Sequence, residues 1–352
     1  MNKRNVKGRG ARINITNRFE KLTHEDFDDG WFQEEETSNR TKFIEVYPKT
    51  ILNKVTSPDL AFEYSMNPYQ GCEHGCTYCY ARNSHEYWGY SAGLDFERTI
   101  LVKKNAPGLL EEKLKNKKWK VVPIFLSGNT DCYQPCERIY EITRKLLTVL
   151  LKYKHPVSII TKNTLILRDL DILSELAKDR LVRVTLSMTT MNKELQQKLE
   201  PRTSTFEKKI KAIQLLTEKG IPTSVIMAPI IPGLNSMEIL SLGKKVSEAG
   251  ALSFHYNVIR LNGQVESIFK NWLLEMYPDR YDKVIHLIED LRKGDLQKNN
   301  FHSRIVGEGK IADMIANMVK LVKNQYFSHK SVPPFNLSLY DADYGSSQLK
   351  LF

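Results

Sequence analysis

The chain is 352 residues long and 41% apolar, enough to bury one large core or two ordinary ones, and its net charge of +11 fits an anionic partner, nucleic acid being the simplest. It contains no run of about twenty apolar residues and no apolar signal core at its basic, polar start, so no membrane association is expected and the protein should be soluble and cytoplasmic. Five cysteines, three of them clustered, argue for a reducing compartment and a metal centre rather than a disulfide framework.

Taken in order, residues 1–42 begin with Lys3, Arg4, Lys7, Arg9 and Arg12 among glycines, then turn acidic between Glu25 and Glu36. Such a charge-segregated, core-poor segment is expected to be a mobile arm, either inert or touching phosphates through its basic half. Arm and lead-in are placed at residues 1–56. An alternating run at 62–66 reads as the first strand and delivers the chain to NPYQGCEHGCTYCYAR at 67–82. Here Cys72, Cys76 and Cys79 are spaced C-x3-C-x2-C on a loop bracketed by glycines, so three thiolates can converge on one small object. A 4Fe-4S cube is normally held by four thiolates, and with three its fourth iron keeps sites for an external ligand. The alternative is a closed Cys3His zinc site using His74 or His85, although no second C-x2-C half stands anywhere in the chain.

Residues 80–90 read as helical, and 94–118 as an insertion with a helix near 107–115. Strand and helix then alternate: strands at 121–126, 157–161, 182–187, 223–228 and 253–259, and helices at 137–151, 167–177, 206–219 and 236–249. With the strand at 62–66 this makes six parallel units, an α/β fold of the partial (β/α)6 barrel type, open on one side and spanning residues 57–262. A helical extension over 263–330 follows, with helices near 272–292 and 311–323. Residues 299–310 carry Phe301, His302 and Arg304 among glycines, suited either to contact a base and a phosphate or to close the barrel. The tail at 331–352 should be extended and mobile.

The cysteine spacing, the aromatic Tyr78 before the third cysteine and the flanking residues quoted above resemble the radical S-adenosylmethionine superfamily. Within it they resemble the spore photoproduct lyase-like "DNA repair photolyase" branch, from about residue 57 to the chain end. The resemblance implies a radical SAM barrel with a 4Fe-4S cluster on Cys72, Cys76 and Cys79. It also implies cleavage of S-adenosylmethionine to methionine and a 5'-deoxyadenosyl radical, which abstracts a hydrogen atom from nucleic acid, DNA lesion repair being favoured. RNA, protein or a small molecule are alternative substrates, and a zinc-containing nucleic-acid-binding module is the non-enzyme alternative. A flavodoxin-type reductase would supply the electron.

Active residues of parallel barrels follow the carboxyl ends of the strands. The resemblance accordingly places Tyr78 beside the cofactor, and Ser127, Gly128, Asn129, Thr130 and Asp131 around the methionine ammonium. Lys162 would neutralise the methionine carboxylate, its alternative being a plain surface charge. Ser187 is in reach of the ribose, and Ile230 lies in the adenine-contacting turn at 228–235. Arg202 would form a bidentate pair with a carboxylate or phosphate, or an ion pair with Glu200 or Glu207. Cys132 and Cys136 follow Asp131 and either face the same cavity, Cys132 as hydrogen-atom donor, or are packed small residues. In the photoproduct lyases the donor cysteine stands where this chain has Gly128, a departure from that repair reaction. The terminal QLKLF resembles the motif by which bacterial repair proteins bind the sliding clamp, with Gln348, Leu349, Leu351 and Phe352 as contacts.

Overall fold

The computed structural model describes residues 8–19, 40–297 and 300–342. Among these residues ten strands run in chain order: β1 (Lys42–Val46), β2 (Leu52–Lys54), β3 (Tyr64–Met66), β4 (Tyr69–Gln70), β5 (Thr99–Lys103), β6 (Ile124–Leu126), β7 (Val157–Thr161), β8 (Val182–Met188), β9 (Thr223–Ile230) and β10 (Phe254–Val258). Seven of them form one sheet in the order β2-β3-β6-β7-β8-β9-β10. From β3 to β10 all neighbours are parallel and successive, and β2 lies antiparallel on the outer edge of β3. No ladder joins β10 to β2 among the described residues, so the expected six-unit barrel is present and open.

The strands read as apolar runs because both faces are covered. Val157 and Ile159 of β7 lie beside Val182 and Val184 of β8, all buried. The helices Ile142–Lys152, Leu170–Lys178, Phe206–Glu218 and Ile239–Glu248 lay their apolar stripes over them, the first through Leu146, Leu147 and Leu150. Each such buried Leu or Ile contributes about 1.5–3 kcal/mol of transfer free energy. In the extension, Lys310–Tyr326 packs on Ile239–Glu248 so closely that a Cβ on Gly243 would stand 2.4 Å from Val322. Among the described residues no helix is long and apolar enough to cross a membrane.

Four expectations are corrected. The segment at 80–90 forms two 3-10 turns, Tyr80–Ser84 and Glu86–Trp88, stopped by Gly89 at φ 81°. The insertion at 94–118 contributes β5, which pairs with β1 in parallel and with β4 antiparallel to make a second, three-stranded sheet at the base of the cysteine loop. Residues 8–19 are not a loose arm: Arg9 and Ala11 are buried, and both Gly10 and Ala11 donate backbone N–H groups to the Glu97 carboxylate. Residues 331–342 are not a loose tail either. They cross the amino-terminal ends of the strands, where Pro333 O accepts from Arg183, Phe335 lies under the Arg183 guanidinium and the Asn336 N–H donates to Arg180 O. The terminal pentapeptide lies outside the described residues.

Candidate cofactor site at the open end of the barrel

β4 runs directly into the cysteine loop. Gly71, at φ 79°, lets the loop lie against β5, since a Cβ there would stand 2.6 Å from Thr99 O, and the Cys72 N–H donates to Phe96 O at 2.8 Å. At the other bracket, Gly75 meets the strap formed by residues 8–19: a Cβ on Gly10 would fall 1.6 Å from Gly75 O, so only glycine fits. Beneath the loop sits a fully buried ion pair between Arg82 and Glu97. Arg82 also donates to Cys76 O at 2.9 Å and to the carbonyls of Ala92 and Gly93, and Glu97 accepts from Gly10 and Ala11. A buried pair satisfied on so many sides holds its surroundings in one geometry, whereas either member alone would be costly.

Cys72 and Cys76 are buried and Cys79 nearly so, and none forms a disulfide. Burial pushes all three thiols up, and Asp131, Cys76 and Cys79 add to the effect on Cys72. Three thiols on one loop in a dry setting keep their protons until a metal takes their place. The His74 ring is already engaged: Nδ1 faces Asp131 Oδ2 at 3.4 Å and Nε2 accepts from the Asn163 amide at 3.1 Å. His85 packs between Tyr90 and Phe96. Among the described residues no three His, Cys, Asp or Glu side chains close on one point as a single ion requires, but thiolates that each bind a different iron of a cube need not do so.

Around the loop, the strand ends assemble a buried polar cluster. Lys162, after β7, donates from Nζ to Ser187 Oγ, Thr189 Oγ1 and Ala228 O, each at 3.0 Å, and pairs with Glu200 at 3.2 Å. Glu200 also accepts from the Tyr78 and Thr189 hydroxyls and faces Lys209 Nζ at 3.7 Å. Burial alone would raise the Glu200 carboxyl; Lys162, Lys209 and the two hydroxyls hold it down to about 2. Burial lowers Lys209 to about 8 against the pull of Glu200. Tyr78, with Lys162 5.5 Å above its ring, is thereby fixed through its hydroxyl to Thr189, just after β8, and to Glu200.

The segment after β6 is tied back to the cysteine loop. Ser127 takes φ 79° and its Oγ accepts from the Cys132 N–H; Gly128 O accepts from the Tyr80 hydroxyl at 2.7 Å; the Asn129 N–H donates to Asn67; and the Thr130 hydroxyl donates to Tyr69 O. Expected residues Tyr78, Lys162, Ser187 and the 127–130 backbone therefore share one end of the barrel.

Asp131 and Ile230 are placed otherwise than expected, Arg202 takes a carboxylate of the protein itself, and Cys132 takes the packed of its two alternatives. Asp131 accepts from Thr161, Tyr133 and the Lys162 N–H at 2.7–2.8 Å, so its oxygens brace the protein itself. Arg202 pairs with Glu73 of the cysteine loop at 3.1 Å, not with Glu200 or Glu207. β9 runs through Ile230, opposite Val258, which turns the Ile230 side chain into the core at 0% exposure. Cys132 is also 0% exposed, and Cys136 lies in the same core, whereas a thiol facing a reaction space would have accessible surface. Glu200 and Lys209 were missed as members of the cluster. Lys209 shares the stripe of Phe206, Ala212, Ile213 and Leu216, and that spacing marks it as inward-facing.

A six-unit open barrel with three clustered thiols, two buried and one nearly so, at the carboxyl ends of its strands defines a class of cluster-dependent enzyme. The membership is specific: residues 66–246 match the Radical SAM superfamily, and the chain belongs to it. An uncharacterized protein of Mycobacterium tuberculosis is 34% identical over 240 residues, 67% of this chain and 71% of that one. Another, of Methanocaldococcus jannaschii, is 29% identical over 248 residues, covering 70% and 88%. Among solved structures, spore photoproduct lyase complexed with dinucleoside spore photoproduct aligns with a TM-score of 0.60 at 16% identity, covering 84% of this chain and 82% of that one. A variant of that lyase with bound AdoMet and the same dinucleoside gives 0.59 at 17% identity, covering 83% and 82%. The protein is thus a radical SAM enzyme, of a family that uses a 4Fe-4S cluster and S-adenosylmethionine, and the reading as a zinc docking module falls.

Proposed function

We propose that this enzyme acts on DNA and reverses a lesion by radical chemistry. The observation that carries the proposal is the extent of the fold shared with spore photoproduct lyase, 84% of the chain, well beyond the superfamily core at 66–246. The positive net charge of +11 supports the same choice of substrate. Cys72, Cys76 and Cys79 would hold the cluster, leaving one iron for the cofactor. Bound there, cluster and S-adenosylmethionine supply one-electron cleavage and, from it, hydrogen-atom abstraction.

The protein's own part is positioning. Carbonyls at 127–130 are offered to an ammonium, Lys162 keeps a positive charge in a dry cluster, and Glu200 fixes both Lys162 and the Tyr78 ring. The open side of the barrel admits a substrate larger than a metabolite, and the Arg82–Glu97 pair with the 8–19 strap keeps solvent from beneath the loop. A flavodoxin-type reductase in the cytoplasm is the proposed electron source, and the terminal QLKLF the proposed attachment to the sliding clamp.

The test is anaerobic reconstitution followed by incubation with ultraviolet-irradiated DNA, intact DNA and RNA. Irradiated DNA should raise 5'-deoxyadenosine release and lose a photoproduct. Equal release with all three, and no change in any, would place the substrate elsewhere.

A further inference from the structure

Three arginines gather where the extension meets the barrel, and their partners differ. Arg292 donates to the carbonyls of Ile259, Ser303 and Arg304. Arg304 is neutralised by Asp59 and also bonds Ser57, so the 300–307 segment closes the barrel edge in that respect rather than offering its guanidinium outward. Arg260, just after β10, donates from Nε to Asn262 Oδ1 at 3.0 Å, and among the described residues its two Nη groups meet no acceptor and no carboxylate within ion-pair distance. It is half-buried all the same, with its guanidinium carbon 5.2 Å from the centre of the Tyr80 ring. Burial and the like charge of Arg304 act against its protonated form.

The surroundings hold this cation in place. Tyr80, half-exposed, is itself fixed by its hydroxyl on Gly128 O. The loop that carries Arg260 is pinned to the turn after the cysteines, where the Asn83 amide donates to Asn262 O at 2.8 Å and accepts from the Gln264 N–H at 3.0 Å. Gly263, at φ 60°, allows that approach, since a Cβ there would stand 2.9 Å from Asn83. Tyr80 follows the last cysteine directly in the chain, so the guanidinium packed on its ring lies at the cysteine loop.

We infer that Arg260 is a substrate-binding residue: the free edge of its guanidinium receives a phosphodiester of the nucleic-acid substrate at the rim of the barrel, next to the cluster loop. A planar fork with two unoccupied donor groups matches a pair of phosphate oxygens, and the ring beneath it limits the entropy lost on binding. A cation with this much lost hydration, and whose one favourable carboxylate, Asp59, is already paired with Arg304, gains most from an incoming anion. The inference rests on the nucleic-acid reading above and adds the contact that anchors the strand.

The test uses full-length, iron-loaded protein and a short single-stranded oligothymidylate, with anisotropy read at several salt concentrations. Arg260→Gln should weaken binding about tenfold and lower the slope of log affinity against log salt by about one. Arg260→Lys should keep the slope and recover only part of the affinity. A methylphosphonate analogue should bind wild type more weakly, and Arg260→Gln should cost nothing further there. Equal binding of the phosphodiester oligonucleotide by wild type and Arg260→Gln would overturn the assignment. So would unchanged oligonucleotide affinity with a fall in AdoMet affinity, which would give the fork to the cofactor carboxylate. Failure of wild type to bind the oligonucleotide at low salt would instead remove the nucleic-acid reading on which the inference stands.

Discussion

Glu200 is shared by two ammonium groups, and removing its charge leaves Lys162 and Lys209 facing each other with little water to screen them. Glu200→Gln should therefore destabilise the fold by about 3–5 kcal/mol, read as a lowered denaturation midpoint at neutral pH. A variant as stable as wild type would mean that the cluster is wetter than its burial implies. Cys72→Ala, Cys76→Ala and Cys79→Ala should each abolish iron binding in anaerobic preparations, whereas Lys162→Ala should weaken AdoMet binding with the iron retained. Loss of iron in Lys162→Ala would make that lysine a support of the loop rather than a cofactor contact. The three cysteines were legible because spacing alone carries their chemistry. Glu200 and Lys209 were not, because a charge on a helix or loop reads as solvated until the stripe it shares is followed inward.

At the level of elements, the alternation of strand and helix located all six barrel strands, with β7 matching residue for residue and β9 two residues longer than expected. The second sheet escaped because β4 is two residues long and has no period, and β1 begins where the stretch read by its charge ends, in the lead-in. The strap at 8–19 escaped for a related reason: it is held mostly by backbone N–H groups and polar side chains such as Arg9, Asn14 and Asn17, with only Ala11 and Ile15 packed on apolar neighbours, which leaves little apolar signature. Gly10→Ala should push the strap off Gly75 and hasten cluster loss in air, as followed by the decay of visible absorbance; decay at the wild-type rate would show that the strap shields nothing. The segment before β7 gives a pH prediction. His155 accepts from the Trp119 indole N–H at Nε2 and faces Pro156 O through Nδ1, a set that a neutral ring satisfies. Burial lowers it, and likewise His85, to about 4 from the ordinary 6.5. Between those values only the unfolded chain takes up the proton, so stability is full above pH 6.5 and falls as the pH drops towards 4, by about 3 kcal/mol for each ring. Denaturant titrations across that window should show the decline, and His155→Gln should make it shallower. A flat profile would mean that both rings are charged in the native state.

For the whole molecule, the partner proposals meet at the chain's end. A peptide of residues 344–352 should bind the clamp of the same organism with micromolar affinity, about −8 kcal/mol, and replacing Leu351 and Phe352 by Ala should abolish this with iron content unchanged. No binding at high micromolar concentration would end the clamp proposal. The crossing of residues 331–342 bears directly on it. Because Pro333 and Asn336 are bonded at the amino-terminal ends of the strands, the described segment ends at the pole opposite the cysteine loop. Ten residues reach about 35 Å at most. Were the clamp to hold the tail, the mooring would lie at the pole away from the mouth of the barrel and leave that mouth clear for a passing strand.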